Sequence, residues 1–341
     1  MPSDNEFPSF IYWHERDLTT ESDRCFLCGC PLTHLNKSDE HVFPRWLLDR
    51  YELRKTRIEL LNGSTITYDR MLIPCCRECN NEHLSRIEEK VSTAFSRGLP
   101  EVQQIPKDTL FAWIGKIYYG VIFRELTLRS DLRDPNSAAI ISPEFLRLYH
   151  SHHLLLQHAR GVVNWGEGHS PASFLFYRCQ DSSNPKLNFD YFDVLNLPFI
   201  ALRIGKAGIV CCLQDWGRLE NYQEDPVLLR AQAAELHPQQ FREVAARGAY
   251  AVSRIGPVVP HTPIYGPTSV TVMDPLMADF FDNSAYAEHD PAFYAGLLAQ
   301  ALRQPVAELH DGTDTVSLLD DQEGGILRLP WPADKWTNVH L

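Results

Sequence analysis

The sequence predicts an α+β chain: a small strand, turn, strand and helix module near the N-terminus, then a mixed helical and antiparallel-sheet domain. Three observations carry that reading. Two Cys-x-x-Cys pairs, Cys25/Cys28 and Cys76/Cys79, stand far apart in the chain, and such pairs can close as four thiolates on one tetrahedral ion and staple a small fold. A hairpin signature lies between them and a helical pattern follows the second. Beyond residue 170, four β-prone runs separated by turn residues are flanked by segments of helical periodicity.

In order along the chain, Cys25-Phe-Leu-Cys28-Gly29 makes a first knuckle, whose glycine permits the tight turn that aims both sulfurs inward. From Glu40 the text EHVFPRWLLDRYELR predicts a short strand through Val42 and Phe43. A helix opened by Pro44 follows, with Trp46, Leu47 and Tyr51 on its apolar side. Leu60-Leu61-Asn62-Gly63 has the Asn-Gly signature of a hairpin turn between β-prone arms. The second knuckle runs into CRECNNEHLSRIEEKVSTAF, a helix with a polar first turn and Leu84, Ile87 and Val91 on one stripe. Downstream, helices are predicted over 107–129 (with Leu110, Trp113, Ile114, Ile117 and Tyr118 on one face), 142–160, about 238–254 and 290–303. Strands are predicted at Ser173–Cys179, Phe189–Val194, Phe199–Arg203 and Gly208–Leu213. The division expected is 1–100, 101–272, and an acidic segment 273–341 that packs on or extends the second domain.

Composition bounds the function. With 44% hydrophobic residues the chain can bury a large core. It has neither a leader-like N-terminus nor a run of about 20 apolar residues, so no membrane partner is expected and cytoplasmic residence is the expectation. In a reducing compartment the six cysteines among the first 79 residues read as metal ligands with Cys30 and Cys75 as spares, while Cys179, Cys211 and Cys212 read as core thiols. The net charge of −12 is unevenly spread: residues 273–341 carry 3 basic against 12 acidic side chains. Between Arg45 and Arg57 the sign reverses, and Arg45, Arg50, Arg54, Lys55 and Arg57 form a local basic strip able to meet phosphates. His150, His152, His153 and His158 read as exposed or capping residues. We find no glycine-rich phosphate loop and no internal repeat.

The Glu40-His41-Val42-Phe43-Pro44 block lies between the two knuckles, and Cys76-Arg-Glu-Cys79 runs into Asn80-Asn81. That order resembles the HNH endonucleases of the His-Me finger, or ββα-metal, group in their zinc-knuckle form, over roughly a fifth of the chain. The resemblance implies a structural zinc on Cys25, Cys28, Cys76 and Cys79. It implies His41 as general base, taking a proton from the water that attacks phosphorus, and Glu40 with Asn80 as holders of a catalytic divalent ion such as magnesium or manganese. His83, on the same helical face as Asn80, would be a third ligand, and Arg45 would bind phosphate. In a regular strand Glu40 and His41 point to opposite sides, so both can serve one site only if the backbone bends. Asp39 is the alternative carboxylate, an N-terminal helical capping role is the alternative for Asn80, and pairing with Asp49 is the alternative for Arg45. One position departs from the family pattern: its middle asparagine, expected just before the second knuckle, is replaced by Asp69-Arg70-Met71, and Asp69 is the candidate to orient His41.

The expected function is therefore metal-dependent hydrolysis of phosphodiester bonds in DNA, in a restriction or phage-defence setting. The alternatives are an RNA endonuclease with the same chemistry, or a non-catalytic zinc module that binds nucleic acid or protein. Residues beyond 100 would select the substrate or a partner, including a second copy of the chain.

Overall fold

The computed structural model describes residues 10–12, 23–126, 128–131, 133–138, 149–166, 169–194, 197–222, 224–255, 261–273, 287–321 and 323–329. Part of the predicted helix 142–160 and the Pro330-Trp331-Pro332 end of the acidic segment lie outside these. The first strand, β1 (Lys37–His41), is followed by α1 (Arg45–Arg50), a small ribbon of β2 (Arg57–Glu59) and β3 (Thr65–Thr67), and β4 (Leu72–Cys76). A π-helical turn, Cys79–Leu84, leads into α2 (Ser85–Arg97), then α3 (Leu99–Val102) and α4 (Lys107–Leu126). After α5 (His150–Leu156) come β5 (Val163–Trp165), β6 (Ser173–Cys179), β7 (Phe189–Val194), β8 (Phe199–Ile204) and β9 (Ala207–Cys212). The chain continues through α6 (Pro226–Arg230), β10 (Glu235–Leu236), α7 (Pro238–Ile255), β11 (Thr262–Tyr265), β12 (Val270–Met273), α8 (Pro291–Leu302) and α9 (Val306–Leu309). Helix and sheet are thus mixed, and no helix among the described residues is long and apolar enough to cross a membrane.

The four β-prone runs are β6 to β9, and they pair antiparallel, with the two-residue β10 added parallel on the β6 edge. Both faces of this sheet are covered, which is why β8 and β9 are buried throughout and read as continuous apolar text. Alternation sorts the faces. Ile200, Leu202, Ile204, Ile209 and Cys211 join one core with α4 and the N-terminal segment, while Phe199, Ala201, Val210 and Cys212 join a second core with α7 and α8. The close seat of α7 depends on glycine: a Cβ on Gly248 would meet Val210 Cγ1 at 2.7 Å.

Two expectations change in the N-terminal segment. The Asn62-Gly63 hairpin exists, with Gly63 at φ +73°, but it closes its own two-stranded ribbon. The strand that pairs with β1 is β4, joined antiparallel with Glu40 opposite Ile73 and His41 opposite Leu72. The apolar run Met71-Leu-Ile-Pro-Cys75 was the signal for it, and Pro74 argued against it. Pro74 is tolerated because Val42 N–H bonds Met71 C=O, which puts 40/73 and 38/75 in the hydrogen-bonded class and leaves 39/74 non-bonded. Furthermore, α4 is not one-faced: Leu110 to Ile114, Ile117 to Tyr119 and Ile122 are all buried, and the helix is central to the first core.

Candidate metal centre and adjoining histidine site

The two knuckles meet. Sγ atoms of Cys25, Cys28, Cys76 and Cys79 all lie within 4.8 Å of one another. A zinc tetrahedron with Zn–S bonds of about 2.3 Å has edges of about 3.8 Å, and Cys28 Sγ is 3.8 Å from Cys76 Sγ. The donor set therefore fits a thiophilic structural metal. Local backbone bonds shape the loops: Gly29 N–H to Cys25 C=O (2.9 Å) and Cys25 N–H to Cys30 C=O (3.0 Å) curl the first knuckle, and Phe26 N–H to Pro74 C=O (2.8 Å) ties it to β4. Gly29 sits at φ +70° under the Tyr12 ring, where a Cβ would overlap ring carbons at 2.1 Å. The crowded sulfurs shift one another in opposite directions, Cys25 downward and Cys28 and Cys79 upward, because one thiolate accepts hydrogen bonds from its neighbouring thiols. Cys75, buried 3.9 Å from Cys25 Sγ, lies outside the four-sulfur group.

β1 carries the histidine away from this centre. His41 is largely sheltered, its side chain 13% exposed, and both ring nitrogens are engaged. Arg45 Nε donates to Nδ1 at 3.3 Å, and Nε2 faces Asp69 Oδ1 at 3.6 Å. That pattern selects the tautomer with the proton on Nε2 and leaves Nδ1 as the basic nitrogen. Asp69 is in turn gripped by Arg54, whose guanidinium also takes Asp49 at 2.5 and 3.0 Å. Asp49 is thus paired with Arg54, not with Arg45. Burial and the charge of Arg45 push the His41 imidazole below its ordinary pKa, so the neutral, proton-accepting form is favoured.

Glu40 does not share this face. The strand is regular, so its carboxylate points inward, 6% exposed, and bonds Lys116 Nζ at 2.6 Å. Its expected role as a metal ligand is corrected accordingly: it is one arm of a buried ion cluster that also includes Glu88, at 3.0 Å from the same ammonium. Burial opposes the charge on Lys116, but Glu40 and Glu88 more than offset it and hold the ammonium above its ordinary pKa. Asp39 shares the exposed face with His41 by alternation. Asn80, in the π-helical turn, gives its amide hydrogens to Ser38 Oγ (3.0 Å) and the Asp39 carbonyl (3.3 Å), which leaves Oδ1 as its acceptor atom. Wide turns of this kind recur at functional sites. The structure brings Asn80 to β1, and His83, in the same turn, faces Glu78 Oε1 at 4.0 Å.

Sequence reasoning missed Lys116 and Glu88, and it read Arg54 as part of a phosphate-facing strip where the structure pairs it with Asp49 and Asp69. The signal for Lys116 was a lone charge inside Leu-Phe-Ala-Trp-Ile-Gly-Lys-Ile-Tyr-Tyr, since buried lysines are nearly always paired. The histidine group also reads differently: His152 and His153 are buried, not exposed or capping, and bond Gly115 C=O (2.9 Å) and Phe26 C=O (2.7 Å), which stitches α5 to α4 and to the first knuckle. Comparison with family models, curated proteins and solved structures gave no match.

Proposed function

We propose that the chain is a metal-dependent endonuclease that hydrolyses phosphodiester bonds, with DNA as the polymer, zinc as the ion of the four-cysteine centre, and a magnesium-like ion at the β1 surface. The observation that carries the reading is the state of His41: a sheltered imidazole with its Nε2 proton directed at a carboxylate and its Nδ1 covered by the exposed Arg45. Such a ring is poised to accept a proton at near-neutral pH.

In this reading Arg45 moves from Nδ1 onto a phosphate oxygen of the substrate, and Nδ1 then takes a proton from the attacking water. Asp69, steadied by Arg54, stabilises the imidazolium as it forms, as the carboxylate partner of a catalytic histidine does. The water oxygen bonds to phosphorus and the bond from phosphorus to the 3′ oxygen breaks. Asp39 and Asn80 Oδ1 would hold the divalent ion, an oxygen-donor set suited to a hard cation. When bound, that ion supplies Lewis-acid stabilisation of the phosphate and the leaving oxygen. The resemblance in the Glu-His-x-x-Pro block and in Cys-Asn after the second knuckle supports the same assignment, and residues beyond 100 would select substrate or partner.

The test is incubation of the zinc-loaded protein with plasmid, single-stranded DNA and RNA, with magnesium, with manganese and with EDTA. Cleavage that requires the divalent ion and falls at least 100-fold in Asp39→Asn is expected. Retention of nucleic acid with no product under any ion would establish a binding module instead, and product from RNA alone would reassign the substrate.

A further inference from the structure

We propose that Lys116, on α4 and outside the cysteine-stapled segment, is a positioning residue for His41: its ammonium fixes the strand end from which the imidazole projects. The proposal rests on the nuclease reading above and deepens it.

The geometry has three parts. First, Lys116 is 1% exposed in the apolar middle of α4, a location that costs several kcal/mol for an unpaired ammonium. Second, its partners come from α2 and from the end of β1: Glu88 on α2, Glu40 on β1, and two successive backbone carbonyls, His41 C=O at 2.8 Å and Val42 C=O at 3.3 Å. One carboxylate would suffice to balance the charge. The carbonyls add something else, because 41/72 is a non-bonded pair in the β1–β4 ladder, so the His41 carbonyl points off the open edge of β1 and has no ladder donor. Lys116 supplies that donor on one side of His41, as Asn80 does for the Asp39 carbonyl on the other. The carbonyls of Asp39, His41 and Val42 are thus all bonded along an edge that pairs with no other strand among the described residues. Third, α4 is seated against the same strand end. Gly120, one turn after Lys116, faces Val42, and a Cβ there would meet Val42 Cγ2 at 2.9 Å.

Charge balance and carbonyl anchoring predict different outcomes when all three charges are removed together. The triple variant Glu40→Gln, Glu88→Gln, Lys116→Met abolishes the buried charges, and neutral replacement of a whole buried cluster is often tolerated. It also deletes the donor to the His41 and Val42 carbonyls. Glu40→Gln alone keeps Lys116, Glu88 and both carbonyl bonds. Turnover of DNA by the zinc-loaded proteins, with zinc content and Tm measured alongside, is the readout. Expected for the triple variant are retained zinc, a Tm within a few degrees of wild type, a KM within threefold and a kcat at least 30-fold lower; Glu40→Gln keeps kcat within threefold. Wild-type kcat in the triple variant overturns the proposal, as does loss of turnover in Glu40→Gln. Should the triple variant not retain zinc, Gly120→Val carries the test, because it keeps all three charged side chains and crowds Val42, whose carbonyl Lys116 holds. Reduced kcat with zinc retained supports the proposal, and wild-type kcat overturns it. A wild-type protein that yields no product dependent on divalent ion and His41 removes the nuclease reading itself, an outcome separate from these.

Discussion

Serine replacement of six cysteines, one at a time, separates the ligands from their neighbours. Cys25, Cys28, Cys76 and Cys79 converge within 4.8 Å, whereas Cys30 and Cys75 are close by but outside the group. Structural zinc in small modules contributes an apparent ~10–16 kcal/mol at neutral pH, or about 2.5–4 kcal/mol for each of four thiolates. At about 2–4 °C per kcal/mol, a loss of that size lowers Tm by about 5–16 °C. Cys28→Ser and Cys79→Ser should therefore bind less than 0.3 zinc per chain by elemental analysis and melt early by calorimetry. Cys30→Ser should keep close to one zinc, with Tm shifted by less than about 2 °C. Cys75→Ser should also keep its zinc but lose about 1–2 kcal/mol, because a hydroxyl would replace a buried thiol with no partner designed for it. Equal zinc loss in Cys75→Ser and Cys79→Ser would refute the assignment of the four ligands.

Two further predictions concern the histidine face and the C-terminal end of α4. Asp69→Asn should lower kcat by about 10- to 100-fold with little change in KM, since the amide cannot stabilise the imidazolium; single-turnover cleavage checks it, and an unchanged rate removes Asp69 from the mechanism. Burial raises the Glu125 carboxyl to about 7 from an ordinary 4.5, so the stability it contributes is fully present below pH 4.5 and lost as pH rises through 7. Glu125→Gln should accordingly stabilise the protein by about 2–3 kcal/mol at pH 8 and by little at pH 4.5, as measured by urea denaturation at both values; a gain that is the same at both would contradict the reading.

Much of the fold was legible because local rules applied. Beyond residue 170 the strands announced themselves by β-prone runs between turn residues, and their double-sided burial explains why the text lacked alternation. The cysteine spacing also carried its meaning directly, since each pair closes within one turn. What the text hid was pairing at a distance. β1 finds β4 across an inserted helix and ribbon, and the more conspicuous Asn62-Gly63 signal belonged to the insertion. Glu40 illustrates a second limit. Strand alternation already placed it opposite His41, and the family pattern pulled the other way; the inward ammonium that decides the matter comes from Lys116, 76 residues on. His152 and His153 show the same limit from the other side, because a histidine on a short helix reads as polar until the carbonyls it meets are known.

The most direct measurement is the cleavage rate of an end-labelled DNA substrate by zinc-loaded wild-type protein and by His41→Ala, in the same buffer with magnesium or manganese. The account predicts divalent-dependent product from the wild type and a rate at least 1,000-fold lower from the variant, with zinc content unchanged. Equal rates for the two proteins, or no product from either, would contradict it.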